Sequence, residues 1–558
     1  MSMILRSSWS IRVYSPSQVI GVGIVLMVLI GYEFCQQLFS PTSWPSYLVS
    51  SLVILLPKWL PLVGWPSFPT SNLDHKGAQG YHAFINAAYL ETALRPARLR
   101  RPFIPILAAM GCVMLTATLV ACGGDGGGGN GGSGGGDGPA ASGGGDNLQI
   151  RSPFDDYGNA VTVDASGNVY IAGHIAEALP GQTYAGGTDA FVQKLDGSFT
   201  ESWTSQFGTE NNDSVDAVAV DGSGNVYLAG RTIGEFPGYT TEYFGSDAFV
   251  RSYDASGTER WTTQFGTEYA TVAQSIAVDG SGNVYVGGYT EGGLPGFENA
   301  GGAPLGPVSE WNDAFVRKYD PDGTEVWTQQ FGHERHDEIL GVAVDGSGSV
   351  YVSGYTDASF EGYSNPGGRD AFVRKYDPDG NVVWTRQFGS GSAAGGQPND
   401  KGLDIALDGS GNIYVAGSTT GVFDGENSGG GNDGFVRKMD PNGEHVWTRQ
   451  FGGEDSDTAD AISVDGGGTV FVAGNTESSI PGADGAGVED GFAKSFDANG
   501  GDRWTRTVGT RRVDGARDIA QGSGGVYVIG GTEGEIGPGG AGKGDAIDSD
   551  VFVVRLSR

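Results

Sequence analysis

The chain has 558 residues, including 98 Gly and 24 Pro, and its formal net charge is −33. Aromatic residues make up 11% of it, which argues against a disordered chain, and the glycines lack the three-residue period of collagen. Residues 1–121 carry a net charge of +5, and the remainder is so acidic that no nucleic-acid partner is expected. Cys35, Cys112 and Cys122 all precede the acidic part, which excludes a disulfide framework from it.

A secretory signal is predicted over residues 94–121. Four arginines between 95 and 101 precede an uncharged apolar run that ends in Leu-Val-Ala before Cys122. The ending Leu-Val-Ala-Cys resembles the lipobox of bacterial lipoproteins. That resemblance implies cleavage before Cys122, lipidation of its sulfur and its new amino group, and anchoring in a membrane. With Gly123 next, it implies the outer membrane or cell surface. An ordinary transmembrane anchor is the alternative.

Residues 1–93 do not fit a lipoprotein, whose signal should begin the chain. They contain two short apolar runs. We expect translation to start near Leu94, and the alternative is a true upstream membrane segment. Residues 122–146 are predicted to be the lipidated cysteine and a tether, because 15 of the 24 residues at 123–146 are Gly. A flexible coil of that length reaches roughly 27 Å.

From residue 147 to residue 558 the chain repeats itself seven times. One tag, Val-Asp-Gly-Ser-Gly-Asn-Val-Tyr or a variant, begins at Val163, Val220, Val278, Val344, Leu407, Val464 and Ala520. A second, Asp-Ala-Phe-Val or a variant, begins at Asp189, Asp247, Asp313, Asp370, Asp433, Asp490 and Asp550. A third, Trp-Thr-x-Gln-Phe-Gly or a variant, begins at Trp203, Trp261, Trp327, Trp384, Trp447 and Trp504. Each copy reads as four short strands, here a to d, because alternating runs are separated by Asp-Gly turns.

This pattern predicts an all-β fold, a seven-bladed β-propeller of four-stranded antiparallel blades at residues 147–558. The strand count also predicts how the ring closes. There are seven a, b and c strands but six Trp-bearing d strands, because the chain ends after strand c of the seventh copy. Residues 147–154 lie where a d strand would precede the first blade. We therefore expect them to complete the last blade and remove its exposed edge.

The repeats resemble the SBBP β-propeller repeats of bacterial surface and secreted proteins. The family pattern A-V-D-x-x-G-N-V-Y-V-x-G-x-T, F-P-G, D-A-F-V-x-K-x-D-x-x-G and W is matched at Val278–Thr290, Leu294–Gly296, Asp313–Gly323 and Trp327, among others. The resemblance covers roughly residues 147–558. It implies an extracytoplasmic propeller, but no reaction, because the family lacks a shared catalytic motif.

The long loops form the predicted recognition surface. The a–b and c–d turns are short and nearly invariant, whereas the b–c and d–a loops on the opposite face are long and differ in every blade. Unconstrained drift of these loops is the alternative. The candidate ligand contacts are Tyr239, Tyr243, Phe244, Trp311 and Tyr363. Phe236 and Phe360 instead recur at a fixed repeat position and are expected to plug the tops of their blades.

A ring of carboxylates is predicted where strand a begins, near the channel mouth. Its members are Asp156, Asp213, Asp337, Asp400 and Asp457, with Thr271 and Val513 as gaps. Such a ring could attract Ca²⁺, a cation that takes oxygen ligands. Alternatively, each carboxylate accepts hydrogen bonds from backbone N–H groups of its own d–a loop. No other cofactor is expected, and the pair His333 and His336 is expected to be incidental.

The sequence favours a monomeric, lipid-anchored propeller that binds an unknown protein or carbohydrate on its loop-rich face. It contains no Gly-x-Ser-x-Gly elbow, P-loop or His-Glu-x-x-His motif. A polysaccharide lyase or hydrolase that uses carboxylates at the channel mouth is one alternative, because a propeller can assemble catalytic residues from several loops. A passive structural surface protein is the other.

Overall fold

The computed structural model describes residues 140–143, 146–151, 154–240, 245–300, 311–365, 368–391, 397–480, 482, 489–510, 512–534 and 549–558. All of them belong to the second of two compact units, Gly132–Arg558. The predicted signal segment, the lipidation site Cys122, Tyr243 and Phe244 lie outside the described residues. Within these ranges no helix has the length and apolarity that crossing a bilayer requires.

The regular elements of the described ranges are β-strands. They are β1 Ala140–Gly143, β2 Asn147–Arg151, β3 Tyr157–Val163, β4 Val169–Ile175, β5 Asp189–Leu195, β6 Glu201–Phe207, β7 Asp213–Val220, β8 Val226–Thr232, β9 Asp247–Tyr253, β10 Glu259–Phe265, β11 Thr271–Val278, β12 Val284–Thr290, β13 Asp313–Tyr319, β14 Glu325–Phe331, β15 Asp337–Val344, β16 Val350–Thr356, β17 Asp370–Tyr376, β18 Val382–Phe388, β19 Asp400–Leu407, β20 Ile413–Thr419, β21 Asp433–Met439, β22 His445–Phe451, β23 Asp457–Val464, β24 Val470–Thr476, β25 Asp490–Phe496, β26 Asp502–Val508, β27 Asp514–Gly522, β28 Gly525–Thr532 and β29 Asp550–Leu556.

The strands form seven antiparallel sheets, which confirms the predicted seven-bladed β-propeller. Blades 1 to 6 each take four consecutive strands, from β3–β6 to β23–β26, in the order a-b-c-d. The a strands of neighbouring blades lie side by side in a closed ring, so they line the central channel. The apolar core lies between the blades, where side chains of successive sheets pack together.

The seventh blade closes as the strand count predicted. Its order is β27-β28-β29-β2, so the N-terminal strand β2 supplies the missing d strand. Gln149 of β2 lies opposite Phe552 of β29 in antiparallel register. The hairpin partner β1 adds a fifth strand outside β2, so strand pairing extends into the Gly-rich segment.

The a–b turns form because one aspartate satisfies several donors at once. In blade 2, Asp221 Oδ1 accepts hydrogen bonds from the backbone N–H groups of Ser223 (2.8 Å) and Asn225 (2.9 Å). Its Oδ2 accepts from the Asn225 side chain (2.8 Å) and from the Tyr227 hydroxyl (3.1 Å). Gly224 has φ +82°, a conformation that glycine adopts without strain.

Tryptophans of strand d join neighbouring blades. Trp261 Nε1 donates to the carbonyl oxygen of Pro321 in the c–d turn of the next blade (3.0 Å). Gly323 of that turn has φ +83°, and a Cβ on it would lie 2.6 Å from the Trp261 ring. Glycine is therefore required there both for the backbone conformation and for the close approach of the ring.

Candidate functional site

The b–c loops are fastened to strand d by the glutamine of the Trp-Thr-x-Gln tag. In blade 2, Gln264 Oε1 accepts from the Phe236 backbone N–H (2.9 Å), and its Nε2 donates to Asp247 Oδ2 (2.9 Å). Equivalent glutamines make the same pair of contacts in blades 1, 3, 4 and 5. In blade 7 the closing strand takes this role, because Gln149 Nε2 donates to Asp550 Oδ2 (3.0 Å). Sequence reasoning missed these contacts, although the tag was visible.

The expected plugs are confirmed. Phe236 is 2% exposed and Phe360 is 7% exposed, and each packs in the core of its blade top. Two of the predicted ligand contacts, Tyr239 and Tyr363, pack against the same clusters as these plugs. The Tyr239 hydroxyl donates to the Thr262 carbonyl oxygen (2.7 Å), and Tyr363 makes the same contact in blade 4 (3.0 Å). Both tyrosines are half-buried, so the structure gives them a role in holding the loop.

Trp311 is half-buried, and its ring centroid lies 5.4 Å from that of His336. His333 lies against Phe360, with ring centroids 5.1 Å apart. Its Nδ1 lies 3.3 Å from Asp337 Oδ1, and this hydrogen bond raises the pKa of His333 against the opposing effect of burial. In the described part of the chain no group of three or more His, Cys, Asp or Glu side chains could hold a metal ion.

The carboxylate ring is buried and bonded to its own loops. Asp213 Oδ2 accepts from the Thr209 backbone N–H (2.6 Å), and Asp457 Oδ2 accepts from the Gly453 N–H (2.7 Å). Asp337 and Asp400 bond to backbone N–H groups of their own d–a loops in the same manner, whereas Asp156 Oδ1 accepts from the Ala176 N–H in the b–c loop (3.0 Å). Burial raises the pKa of Asp213 and of Asp457. These contacts match the hydrogen-bonding alternative, and calcium binding stays a prediction.

One member of the ring was assigned wrongly. Val513 is not the equivalent position of blade 7, because β27 begins at Asp514 and is one residue longer than its counterparts. Asp514 is fully buried and lies opposite Thr532, as Asp213 lies opposite Thr232. Counting backwards from the tag misplaced it by that extra residue.

The channel carries a second ring, which the sequence did not reveal. Each a strand has a β-bulge at which its register against strand b shifts by one residue, and bulges re-aim side chains. The bulged residues are Asn159, Asp216, Gln274, Leu340, Leu403, Asp460 and Arg517.

Four of these bulged residues line a cavity of about 400 Å³ in the first half of the a strands, toward the long-loop face. Its lining consists of Tyr157, Asn159, His174, Asp216, Arg231, Gln274 and Arg517. This volume falls within the range of about 300–1,000 Å³ that is typical of small-molecule pockets. We call it the channel pocket, and it is our candidate functional site.

A hydrogen-bonded chain crosses the floor of the channel pocket from blade 1 to blade 2. Asn159 Nδ2 donates to the Val215 carbonyl oxygen (2.9 Å). His174 Nδ1 lies 3.2 Å from Ser214 Oγ, and Ser214 Oγ donates to Asp216 Oδ1 (2.9 Å). These contacts fix the pocket side chains before any ligand arrives, which lowers the entropic cost of binding.

Two arginines set the electrostatics of the channel pocket. Arg231 Nε lies 4.0 Å from Asp216 Oδ2, and Arg517 Cζ lies 5.4 Å from the Tyr157 ring centroid. Burial, followed by the charges of Arg231 and Arg517, lowers the pKa of His174 to about 4, so its ring is neutral at pH 7. Burial raises the pKa of Asp216, and the two arginines oppose that rise. The pocket thus offers cations, neutral polar groups and one buried carboxylate.

Comparison with known families identifies the repeats. Four segments, 202–237, 260–295, 326–361 and 383–424, match the SBBP family, a β-propeller repeat. The resemblance predicted from the sequence is thereby confirmed for these repeats.

Two curated proteins match parts of the chain. Regulatory protein FlaEY of Caulobacter vibrioides is 27% identical over 401 residues, which are 64% of this chain and 39% of that protein. An uncharacterized WD repeat-containing protein of Acanthamoeba polyphaga mimivirus is 26% identical over 191 residues, 31% of this chain and 14% of that protein. The chain therefore spans well under half the length of either relative.

Several solved structures are similar to the chain at low sequence identity. U3-55K has a TM-score of 0.42 at 12% identity, covering 74% of this chain and 98% of that chain. The WD40 β-propeller domain of Doa1 has a TM-score of 0.40 at 10% identity, covering 73% and 95%. An ulvan lyase, a polysaccharide lyase, has a TM-score of 0.39 at 11% identity, covering 73% and 96%.

Proposed function

We propose that this protein is a lipid-anchored bacterial surface protein that binds a ligand on the long-loop face of its propeller. The channel pocket carries this proposal, because it is a cavity of about 400 Å³ that polar side chains of the a and b strands line on the long-loop side of the channel. The long loops differ from blade to blade, whereas the opposite face is nearly constant. A rigid scaffold with one variable face is the usual arrangement of a recognition protein.

Anchoring is proposed at Cys122, within the sequence Leu-Val-Ala-Cys-Gly. Cells that express the full chain should incorporate radiolabelled palmitate, and the chain should fractionate with the outer membrane. Cys122→Ala should abolish both the label and the membrane fractionation. Membrane association without label would favour the transmembrane alternative.

Ligand binding is tested by filling the channel pocket. The full chain, purified in detergent, is applied to a glycan array and to immobilised surface-protein extracts. Gln274→Trp places an indole in the pocket, whereas Val383→Trp places one on the exposed outer strand β18. Binding that survives in Val383→Trp and is lost in Gln274→Trp is the expected result. Equal binding by both variants would place the ligand elsewhere, and no binding by the parent chain would contradict the proposal.

Turnover of a polysaccharide is a second candidate function, which Asp460 favours. This bulged residue belongs to a strand that lines the channel, its Oδ2 accepts from Thr458 and Asn475, and burial raises its pKa to about 6. A carboxyl group with such a pKa suits general acid catalysis near neutral pH. A reducing-end assay on each glycan bound in the array separates the two candidates, because only an enzyme releases new ends.

A further inference from the structure

The two arginines of the channel pocket depart from the repeat. Arg231 occupies the sixth position of its b strand, where the other blades carry uncharged or weakly basic residues. These are His174, Tyr289, Tyr355, Ser418, Asn475 and Gly531. Arg517 is the one basic member of the bulged ring. The other blades fold without an arginine at the equivalent positions, so the propeller fold does not require either arginine.

The fold also leaves both guanidinium groups available. Neither donates a hydrogen bond to another group in the described part of the chain, and both residues are exposed within the channel. Arginines elsewhere are used structurally, as when Arg374 Nε donates to Thr385 Oγ1 (2.8 Å) and Arg449 Nε donates to the Gly500 carbonyl oxygen (2.8 Å). The Arg231 contact with Asp216 is long, at 4.0 Å, so it leaves the donors of the guanidinium free for a ligand.

A buried acceptor faces the same cavity. Asp216 Oδ2 is inaccessible to solvent and has no hydrogen-bond donor among the described residues. A buried carboxylate oxygen without a donor costs stability, and a ligand hydroxyl would remove that cost once a small rotation of the Asp216 side chain turns Oδ2 toward the pocket. The channel pocket is therefore complementary to a ligand that has an anionic group for the arginines and a hydroxyl donor for Asp216.

The remaining lining fits the body of a sugar. Tyr157 and His174 form an aromatic wall, with ring centroids 5.2 Å apart and an interplanar angle of 37°. The C–H face of a pyranose packs against such rings, while Asn159 and Gln274 offer amide groups for further hydroxyls. His174 is neutral at pH 7, so the positive charge of the pocket comes from the two arginines.

We propose that the channel pocket binds a uronic acid residue of a glycan, with the sugar carboxylate between Arg231 and Arg517 and a sugar hydroxyl on Asp216. Guanidinium groups bind carboxylates through paired, charge-assisted hydrogen bonds. The inference rests on the proposed binding function and names its ligand class. The net charge of −33 makes general attraction of anions unfavourable, so recognition depends on this local pair of cations.

The test is calorimetric titration of the full chain in detergent with oligogalacturonate, its methyl ester and a neutral galactose oligomer. We expect binding of the acid and at least about tenfold weaker binding of the ester and the neutral oligomer. Arg231→Gln and Arg517→Gln should each weaken binding of the acid about tenfold, with partial recovery in the lysine variants. Arg503→Gln, at an exposed position of β26, is the matched control and should bind as the parent does.

The possible results distinguish failure of the uronic acid assignment from failure of the proposed binding function. Equal binding of acid, ester and neutral oligomer, unchanged by the arginine variants, would overturn the uronic acid assignment and leave a binding propeller. The same holds if none of the three binds while an array ligand is lost in Gln274→Trp. If the array and the surface-protein extracts also yield no ligand, both proposals fail.

Discussion

At the scale of single residues, one glutamine holds three parts of a blade together. Gln330 Oε1 accepts from the Leu294 backbone N–H (2.9 Å), and its Nε2 donates to Asp313 Oδ2 (2.9 Å) and to the Gly292 carbonyl oxygen (3.2 Å). The adjacent Gln329 makes no side-chain hydrogen bond within the described ranges. These neighbours in β14 therefore form a natural matched pair.

We expect Gln330→Leu to lower the free energy of unfolding by about 1–3 kcal/mol, because it removes one of the two hydrogen bonds to the buried Asp313 Oδ2 and leaves the Leu294 N–H group without a partner. Gln329→Leu should change it by less than about 0.5 kcal/mol. Urea unfolding of both variants is the measurement. Equal stability of the two would contradict the role given to Gln330.

The aspartates of the a–b turns predict a dependence of stability on pH. Burial alone would raise the pKa of Asp221, but hydrogen bonds from Asn225, Ser223 and Tyr227 outweigh it, so the pKa is lowered. A folded-state pKa below the unfolded value, about 3.9, means that the stabilisation is complete above that value. It is lost as the pH falls through the folded-state pKa.

Asp221→Asn should therefore be less stable than the parent chain at pH 7 by at least about 1 kcal/mol, because the amide nitrogen that replaces one carboxylate oxygen cannot accept from Asn225 and Tyr227, and the remaining acceptor is neutral. The difference should shrink as the pH falls below about 4, where the parent carboxylate also becomes neutral. Urea unfolding at pH 7, 5 and 3 measures it. A difference that stays constant down to pH 3 would rule out the carboxylate as its source.

A loop residue can be predicted from the sequence where the same type of side chain recurs in several blades. It cannot be predicted where only the same contact recurs, made by different side chains. Phe236 and Phe360 were recognised as plugs because a large apolar residue recurs at that position. Tyr239 and Tyr363 follow their plugs by three residues, and both bond to a strand d carbonyl oxygen. In blade 1 Gln182 makes the same contact. Because a glutamine and a tyrosine are different residue types, the sequence does not show that Gln182 occupies the position of Tyr239 and Tyr363.

At the scale of the strand, the channel pocket could not be predicted because it depends on a bulge. An a strand such as Asp213–Val220 reads as a regular alternation, and a shift of one residue moves a side chain to the other face. Register against the b strand, between Val215 and Ala217, reveals that Asp216 is the inserted residue. The four strands of each blade were predicted because their turns carry Asp and Gly at fixed positions.

In blades 2 to 6, a cation of strand c lies over an aromatic ring of the preceding blade. Arg374 Cζ lies 3.8 Å from the Phe331 ring centroid, and equivalent pairs in blades 2, 3 and 5 lie at 4.0–4.5 Å. Where strand d of blade 6 ends in Val508, blade 7 carries Val554 in place of the cation, and both lie in the same apolar cluster. The residue on strand c is thus a cation where strand d of the preceding blade ends in Phe, and a valine where it ends in Val508.

A double-mutant cycle of Phe331→Leu and Arg374→Met should give a coupling energy of about 0.5–2 kcal/mol, because each change alone already removes the ring–cation contact. The hydrogen bond from Arg374 to Thr385 is lost in both arms that contain Arg374→Met and cancels. Val508→Ala and Val554→Ala form the control cycle, in which no charge is involved. Unfolding in urea supplies all the values, and a coupling energy no larger than that of the control would show that packing alone joins the blades.

At the scale of the whole molecule, stability depends on joining the two ends of the chain in one sheet. Strand β2 places Leu148 and Ile150, 5% and 1% exposed, in the core between blades 7 and 1. Burying two such side chains contributes about 3–6 kcal/mol. Without β2, β29 would present an unpaired edge, and Asp550 would lose its bond to Gln149.

Deleting residues 147–151 should therefore lower the free energy of unfolding by at least about 3 kcal/mol and make the protein associate through the free edge of β29. Thermal unfolding and light scattering of the full-length variant measure the two effects. Deleting an equal number of residues from the Gly-rich tether, 126–130, is the control and should leave both unchanged. Leu148→Ala with Ile150→Ala separates the causes, because it keeps the backbone pairing while removing the buried side chains. If β2 closes the ring, the double alanine variant should lose stability without associating. The deletion variant should both lose stability and associate. A deletion variant as stable and as monomeric as the parent chain would contradict it.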